Sequence, residues 1–572
     1  MQPELIMPYI NRVKGTKLSC GKTLLELTVY NGVALWWFAD MAFFFYLFNR
    51  EYEDSGREAG LRHKIETSGL FRVLIRQAYY IGDYLLALTS YLILLRFNRI
   101  KRIKSLSQEK ITILITGEDL EWRTFYAGEQ AEPILSDQFS HAIIQKLNET
   151  GKYRIVSTYP LKCPYFPSIR VVISKSKHWD VLHVPFNLFF RHRIGRERNK
   201  AKHHFRKVWN LLKDDQVFTS LLERPEDPEG EIRKKLRNYF AYDRPEYVFA
   251  EFTKFISMAE VMLESIRPAV IVIEDEYSVF ERALIVAAKR KGIPCVAIQH
   301  GVIHELHKGY IYQAGEISPD LSVRAPFVPT ADVTAVYGQY YKDLLTQVGG
   351  YPESAVVVTG QPRYDRMIDL NSRSVRSELM ERWNLDPSKK IVLWTTQCHG
   401  ISDSENELNF QTVFDSISLI ENVQLIIKQH PGEPKRYDTM IREHLRKYSI
   451  DVHFVAKDSD TLGLLAICDL VLLMNSTTGL EAVALQKPLI VMNLGEQPDI
   501  VNYVQEGVAY GVYKPEDLKP TMEQLLRDDS CLSQNREEFI RKYLYKIDGK
   551  AAERVVALIE GCMEMRGTST VH

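Results

Sequence analysis

The chain has 572 residues, 45% hydrophobic and 26% charged, with 73 basic side chains against 73 acidic ones and a formal net charge of zero. That composition is of a folded protein and excludes a disordered one, and the charge balance excludes a global field that would gather nucleic acid. By length, roughly three to four domain equivalents fit, and any electrostatic function has to be local.

Two stretches near the N-terminus, residues 32–48 and 79–97, are rich in aromatic and aliphatic side chains and reach the lower limit for a membrane-spanning helix. Asp40 and Asp83 fall inside them. A carboxylate near a bilayer centre costs about 2.5–3.5 kcal/mol, so the expectation is helices that pack on the protein or lie against a membrane surface. Arg96, Arg99, Lys101, Arg102 and Lys104 follow, and suit either anionic headgroups or water. The N-terminus lacks the pattern of a cleavable signal.

From Ile111 the pattern alternates. Strands are predicted at 111–116, 153–158, 269–273, 295–299, 333–337 and 355–359, and helices at 136–149, 232–266 (after a breaker at 225–230) and 281–291. After a helix at 375–384 and the breaker Asp386-Pro387-Ser388, a second series has strands at 391–395, 423–427, 451–455, 470–474 and 489–492. A helical segment, 536–560, has the length to cross back. The division is a helical extension over 1–108, Rossmann-like doubly wound units over 109–370 and 371–535, and a returning C-terminal helix over 536–572. The fold class is α/β, with a cleft between the carboxyl edges of the two units. The seven cysteines show no zinc spacing, and Cys295 and Cys468 sit in apolar runs, which points to buried thiols in a reducing compartment.

Lys428-Gln429-His430-Pro431 follows one apolar run, and Asn475 to Glu481 follows another. The proline pushes His430 out of the helical region, so its imidazole should project from the sheet edge. Lys428, two residues earlier, should point to the same side, as a ligand or as a solvated strand end. Ser476, Thr477 and Thr478 open a helix, a favourable place for phosphate, and the two motifs are expected at the ends of neighbouring parallel strands. Glu481, three residues after Thr478, either completes a capping box or meets ribose hydroxyls. Arg363 offers a planar fork for phosphate, or pairs with Asp365.

With Gln299-His300-Gly301 and Gly360-Gln361-Pro362-Arg363-Tyr364-Asp365 added, residues 265–530 resemble the GT-B superfamily of nucleotide-sugar transferases. The likeness is to CDP-glycerol glycerophosphotransferases, capsule Kdo-transferases and polysialyltransferases. The resemblance implies that His430, Ser476, Thr477 and Thr478 contact donor phosphates. It offers two general bases: His300, as in the glycerophosphotransferase type, or an acidic residue, Glu274 or Asp275, as in the polysialyltransferase type. Glu276 stands where the latter has glycine. Clustered carboxylates raise one another's pKa, and a histidine titrates near neutrality, so both suit proton removal.

The expected activity is transfer from a CMP-, CDP- or UDP-linked donor to a glycan or lipid-linked acceptor, building capsule or other cell-envelope polysaccharide at the inner face of the membrane. No further cofactor and no metal are expected. Asp458-Ser459-Asp460 reads as a helix cap, and Walker and GxGxxG loops are missing. The alternatives are a UDP-N-acetylglucosamine 2-epimerase-like isomerase, on the GxPRxD and His-Pro likeness, and an inert membrane-surface scaffold. The basic run 191–207 either guides an anionic acceptor or is a solvated helix face.

Overall fold

Runs that are apolar on both faces become the strands of two parallel sheets, because each has helices to bury both sides. The computed structural model describes residues 3–40, 110–117, 121–125, 134–160, 173–175, 181–223, 245–370, 373–398, 401–474, 476–495 and 501–569, with the single residues 85, 88, 89, 92 and 171. After a two-residue hairpin, β1 (Val29–Tyr30) and β2 (Val33–Ala34), the first sheet is built from β3 (Ile111–Thr116), β6 (Tyr153–Tyr159), β7 (Val181–Pro185), β8 (Val270–Ile273), β9 (Cys295–Ile298), β10 (Val333–Val336) and β11 (Val356–Val358). Its order is β11-β10-β9-β8-β3-β6-β7, all parallel. A separate antiparallel hairpin, β4 (Trp122–Phe125) and β5 (Ile134–Asp137), stands between β3 and β6 in sequence.

The second sheet contains β12 (Lys390–Thr395), β13 (Val423–Lys428), β14 (Val452–Phe454), β15 (Leu470–Leu473), β16 (Leu489–Met492) and β17 (Tyr510–Val512), in the parallel order β14-β13-β12-β15-β16-β17. Both sheets reverse strand order once, between β3 and β8 in the first and between β12 and β15 in the second. Ligands of open α/β sheets bind at the carboxyl ends beside such a reversal. This is the two-lobed GT-B arrangement.

The final helix, Ala551–Ser569, lays Val555, Val556, Ile559 and Cys562 on Ile113, Val270 and Val296 of the first sheet. Asp365 holds its start by accepting the Ala551 and Ala552 amides at 2.8 Å each. The stretch expected as one helix over 536–560 is two, Ser530–Tyr543 and Ala551–Ser569, broken at Gly549 with φ +70°. The N-terminal end of the 136–149 prediction also differs. Residues 134–137 pair as β5, and the helix begins at His141. The strands β7 and β17 escaped prediction.

Residues 33–34 of the expected 32–48 helix form β2, and 36–40 turn helical against the first lobe. Trp37 Nε1 donates to Pro326 O at 2.8 Å, and Asp40 accepts from Arg282 at 2.7 Å, both side chains fully buried. This stretch therefore packs on the protein. Most of 79–97, with Asp83 and the basic residues after it, lies outside the described residues. Among the described residues no helix is long and apolar enough to cross a membrane.

Candidate functional site

Gly117 follows β3 and Glu274 follows β8, so the strand reversal of the first lobe puts them side by side. A Cβ at Gly117 would stand 3.3 Å from Asp137 Oδ2 and 3.6 Å from Glu274 Oε2. Glycine here lets two carboxyls meet. Asp137, at the end of β5, uses Oδ1 to accept the amides of Phe139 and Ser140, which leaves Oδ2 with no protein donor. Glu274 Oε1 has none either. Burial and then the Asp137 charge hold Glu274 well above the ordinary carboxyl range, and burial raises Asp137 as well. Two buried carboxyls this close disfavour a second negative charge, so each opposes ionisation of the other.

Two of the neighbouring acids are bound into the fold. Glu276 accepts the Ala331 amide at 2.7 Å and the Thr334 hydroxyl at 3.1 Å. Glu281 binds the Thr116 hydroxyl and the Asp275 amide, and caps its own helix through Ser278. Burial raises Asp275, and the nearby His300 opposes that shift.

His300 follows β9. Its Nε2 lies 3.1 Å from the Tyr277 hydroxyl, and its buried Nδ1 has no hydrogen-bond partner. Phe139 and Tyr277 flank the ring. His307 also packs against Tyr277. Burial, helped by His304 and His300, pushes it down to about 3, so it stays neutral at physiological pH.

Three cations converge on this edge from both lobes. Arg123 comes from β4, Arg363 from the turn Pro362–Arg366, and Lys428 from the last position of β13. Burial lowers Lys428 to about 8, and Arg123 and Arg363 push in the same direction while Asp458 and Asp460 oppose it. Burial also lowers Arg123, with Arg363 adding to the effect. Lys428 Nζ donates to Lys457 O at 3.1 Å, so it is a buried member of the cluster and not a solvated strand end.

Arg363 ties the lobes together. It donates to Gln138, the residue after Asp137, and pairs with Glu481 of the second lobe. Two expectations are corrected here. Asp365 caps the C-terminal helix and does not pair with Arg363. Glu481 is drawn to Arg363 and forms no capping box with Thr478, because pairing offsets the cost of burying its charge. Asp460 likewise makes no side-chain cap and pairs with Arg366.

The second-lobe motifs are arranged differently from the prediction. β13 and β15 are not neighbours, since β12 lies between them and pairs with both. His430 is exposed, and its Nδ1 accepts the Gly432 amide at 3.1 Å. Ser476 Oγ donates to Thr478 Oγ1 at 3.0 Å and accepts the Thr478 amide at 3.2 Å, while Thr477 is exposed. The helix they open, Thr478–Ala484, has only seven residues and hence a weak dipole.

Sequence reasoning missed Thr395, whose buried hydroxyl at the end of β12 has no partner, and Asp137 and Arg123 of the hairpin. Thr395 adjoins the reversal in the second sheet, a signal available only once strand order is known. Among the described residues no group of three or more His, Cys, Asp or Glu is placed to hold a metal.

A family model described as UDP-N-acetylglucosamine 2-epimerase matches residues 231–560, more than half of the chain. No curated protein matches by sequence. Among solved structures, the UDP-GlcNAc 2-epimerase of Neisseria meningitidis bound to UDP-GlcNAc is similar with a TM-score of 0.47 and 13% identity, over 79% of this chain and 100% of that one. S. aureus MnaA with UDP gives 0.45 and 15% over 80% and 97%. A wall teichoic acid polymerase, TagF, gives 0.45 and 11% over 85% and 98%. The chain belongs to the UDP-N-acetylglucosamine 2-epimerase family.

Proposed function

We propose that this protein transfers a sugar or glycerophosphoryl group from a nucleotide-activated donor to a hydroxyl acceptor. One observation carries the reading: beside the buried carboxyl pair Asp137–Glu274, Gln138 binds Arg363, which gathers with Arg123 of the first lobe and buried Lys428 at the carboxyl edge of the second. In transfer, the negative charge of the carboxyl pair takes the acceptor's hydroxyl proton. The acceptor oxygen forms the new bond to the donor carbon or phosphorus. The bond to the nucleotide phosphate breaks, and its electron pair stays on the phosphate oxygen, where Lys428 and Arg363 stabilise it. Ser476, Thr478 and Thr395 supply hydroxyls for the phosphates, and His430, exposed at the end of β13, meets a donor on its entry to the cleft. The inner membrane face and a cell-envelope product are the setting this chemistry suits.

Family membership favours a second reading, epimerisation at carbon 2 of UDP-N-acetylglucosamine. Inverting that carbon calls for acid–base groups on opposite faces of the ring, whereas Asp137 and Glu274 lie on one side, both beside Gly117. Incubation with UDP-N-acetylglucosamine in deuterated water separates the two. Transfer gives nucleotide release only when an acceptor glycan or glycolipid is added, and no deuterium at carbon 2. Deuterium at carbon 2 without an acceptor establishes the epimerase.

A further inference from the structure

A cavity of about 200 Å³ lies inside the first lobe between the β4–β5 hairpin and strands β6 and β7. It lies outside the stretch that matches the family, so family membership does not account for it. Trp122 and Tyr159 supply aromatic faces, and Ser136, Ser157, His141 and His183 supply polar groups. Lys175 is the one ammonium among the described lining residues. It is 2% exposed and stands 3.0 Å from the Tyr159 ring centre and 5.3 Å from that of Trp122. Asp137 forms part of the wall, 5% exposed, with its Oδ2 lacking a protein donor. Gly117 is also in the wall, and a Cβ there would stand 3.6 Å from Glu274 Oε2.

Aromatic faces pack on the C–H faces of a sugar ring, short polar groups bond its hydroxyls, and a buried ammonium selects a carboxylate in water-poor surroundings. A ligand seated here meets Asp137 of the carboxyl pair directly. We infer that this cavity binds an acidic monosaccharide unit, the end of the acceptor glycan, with its carboxylate on Lys175 and one hydroxyl on Asp137. The inference rests on the transfer reading and names its acceptor class.

Saturation-transfer NMR on the full chain tests it, with methyl β-glucuronide and methyl β-glucoside as matched probes and UDP, CDP and CMP as references on the same sample. The expected result is a glucuronide signal at least tenfold stronger than that of the glucoside. It falls at least tenfold in Lys175→Met and in the cavity-filling Ser157→Leu, while both variants keep nucleotide binding and a cooperative melt. If a nucleotide binds and the glucuronide does not, or binds no better than the glucoside, or is indifferent to both substitutions, the cavity assignment falls alone. If none of UDP, CDP and CMP binds, the transfer reading falls, and this inference with it. Should one variant fail to fold, the other decides.

Discussion

Arg363 and Glu481 form an ion pair that crosses the lobes, with Glu481 side chain 2% exposed and Arg363 14%. Removing one partner of a buried pair strands the other charge. Arg363→Met should therefore lower stability by about 3 kcal/mol, and the double variant Arg363→Met/Glu481→Gln should regain most of it. Urea titration of the three proteins measures this. A single variant as stable as the double one would show that the pair does not join the lobes.

Glu274 is predicted to trade stability for activity. Its raised pKa means that, above that value, the folded state carries a charge it holds less comfortably than the unfolded chain does. Stability from this group is thus gained as pH falls through the folded pKa and lost above it. Glu274→Gln should melt higher than wild type at pH 8 while transfer slows roughly 10²–10⁴-fold, the usual worth of a positioned proton acceptor. The acid limb of the pH–rate profile should go with it. A variant that melts lower and still turns over would assign Glu274 to the fold, and leave His300, with its unpartnered Nδ1, as the base.

Lys428 titrates within reach of ordinary assays. Its ammonium, lowered to about 8, is charged below that pH and neutral above it. Nucleotide affinity should hold steady below pH 7 and weaken as pH passes 8, and Lys428→Met should abolish that dependence. Titration calorimetry across pH 6.5–9.0 is the check.

Gly479 lies under Tyr503, whose hydroxyl donates to Ser476 O at 2.9 Å. A Cβ at Gly479 would stand 2.4 Å from the tyrosine ring. Gly479→Ala should cost about 1–3 kcal/mol through overpacking and weaken nucleotide binding by displacing the Ser476 turn. Melting and calorimetry together separate the two effects.

The strands were legible because they are apolar on both faces, as β12, β13, β15 and β16 all are. Chain punctuation likewise located His300, Glu274, Lys428 and Ser476 at strand ends. Pairings across the fold were not legible. Nothing near Asp137 in sequence announces Glu274, and the β4–β5 hairpin that carries Asp137 breaks the helix pattern expected there. Glu481 satisfied the local i,i+3 rule with Thr478, yet Arg363, distant in sequence, offers it a full charge, and the stronger partner prevails. β7 ends in His183-Val184-Pro185 and β17 has only three residues, so neither offers an apolar run long enough to recognise.

The most direct measurement is calorimetric titration of CMP, CDP and UDP into the wild-type protein and Lys428→Met at pH 7. The account predicts that at least one nucleotide binds, and that the substitution weakens it about 10- to 100-fold, the worth of a charge-assisted hydrogen bond. Binding of none of the three, or equal binding by both proteins, would contradict it.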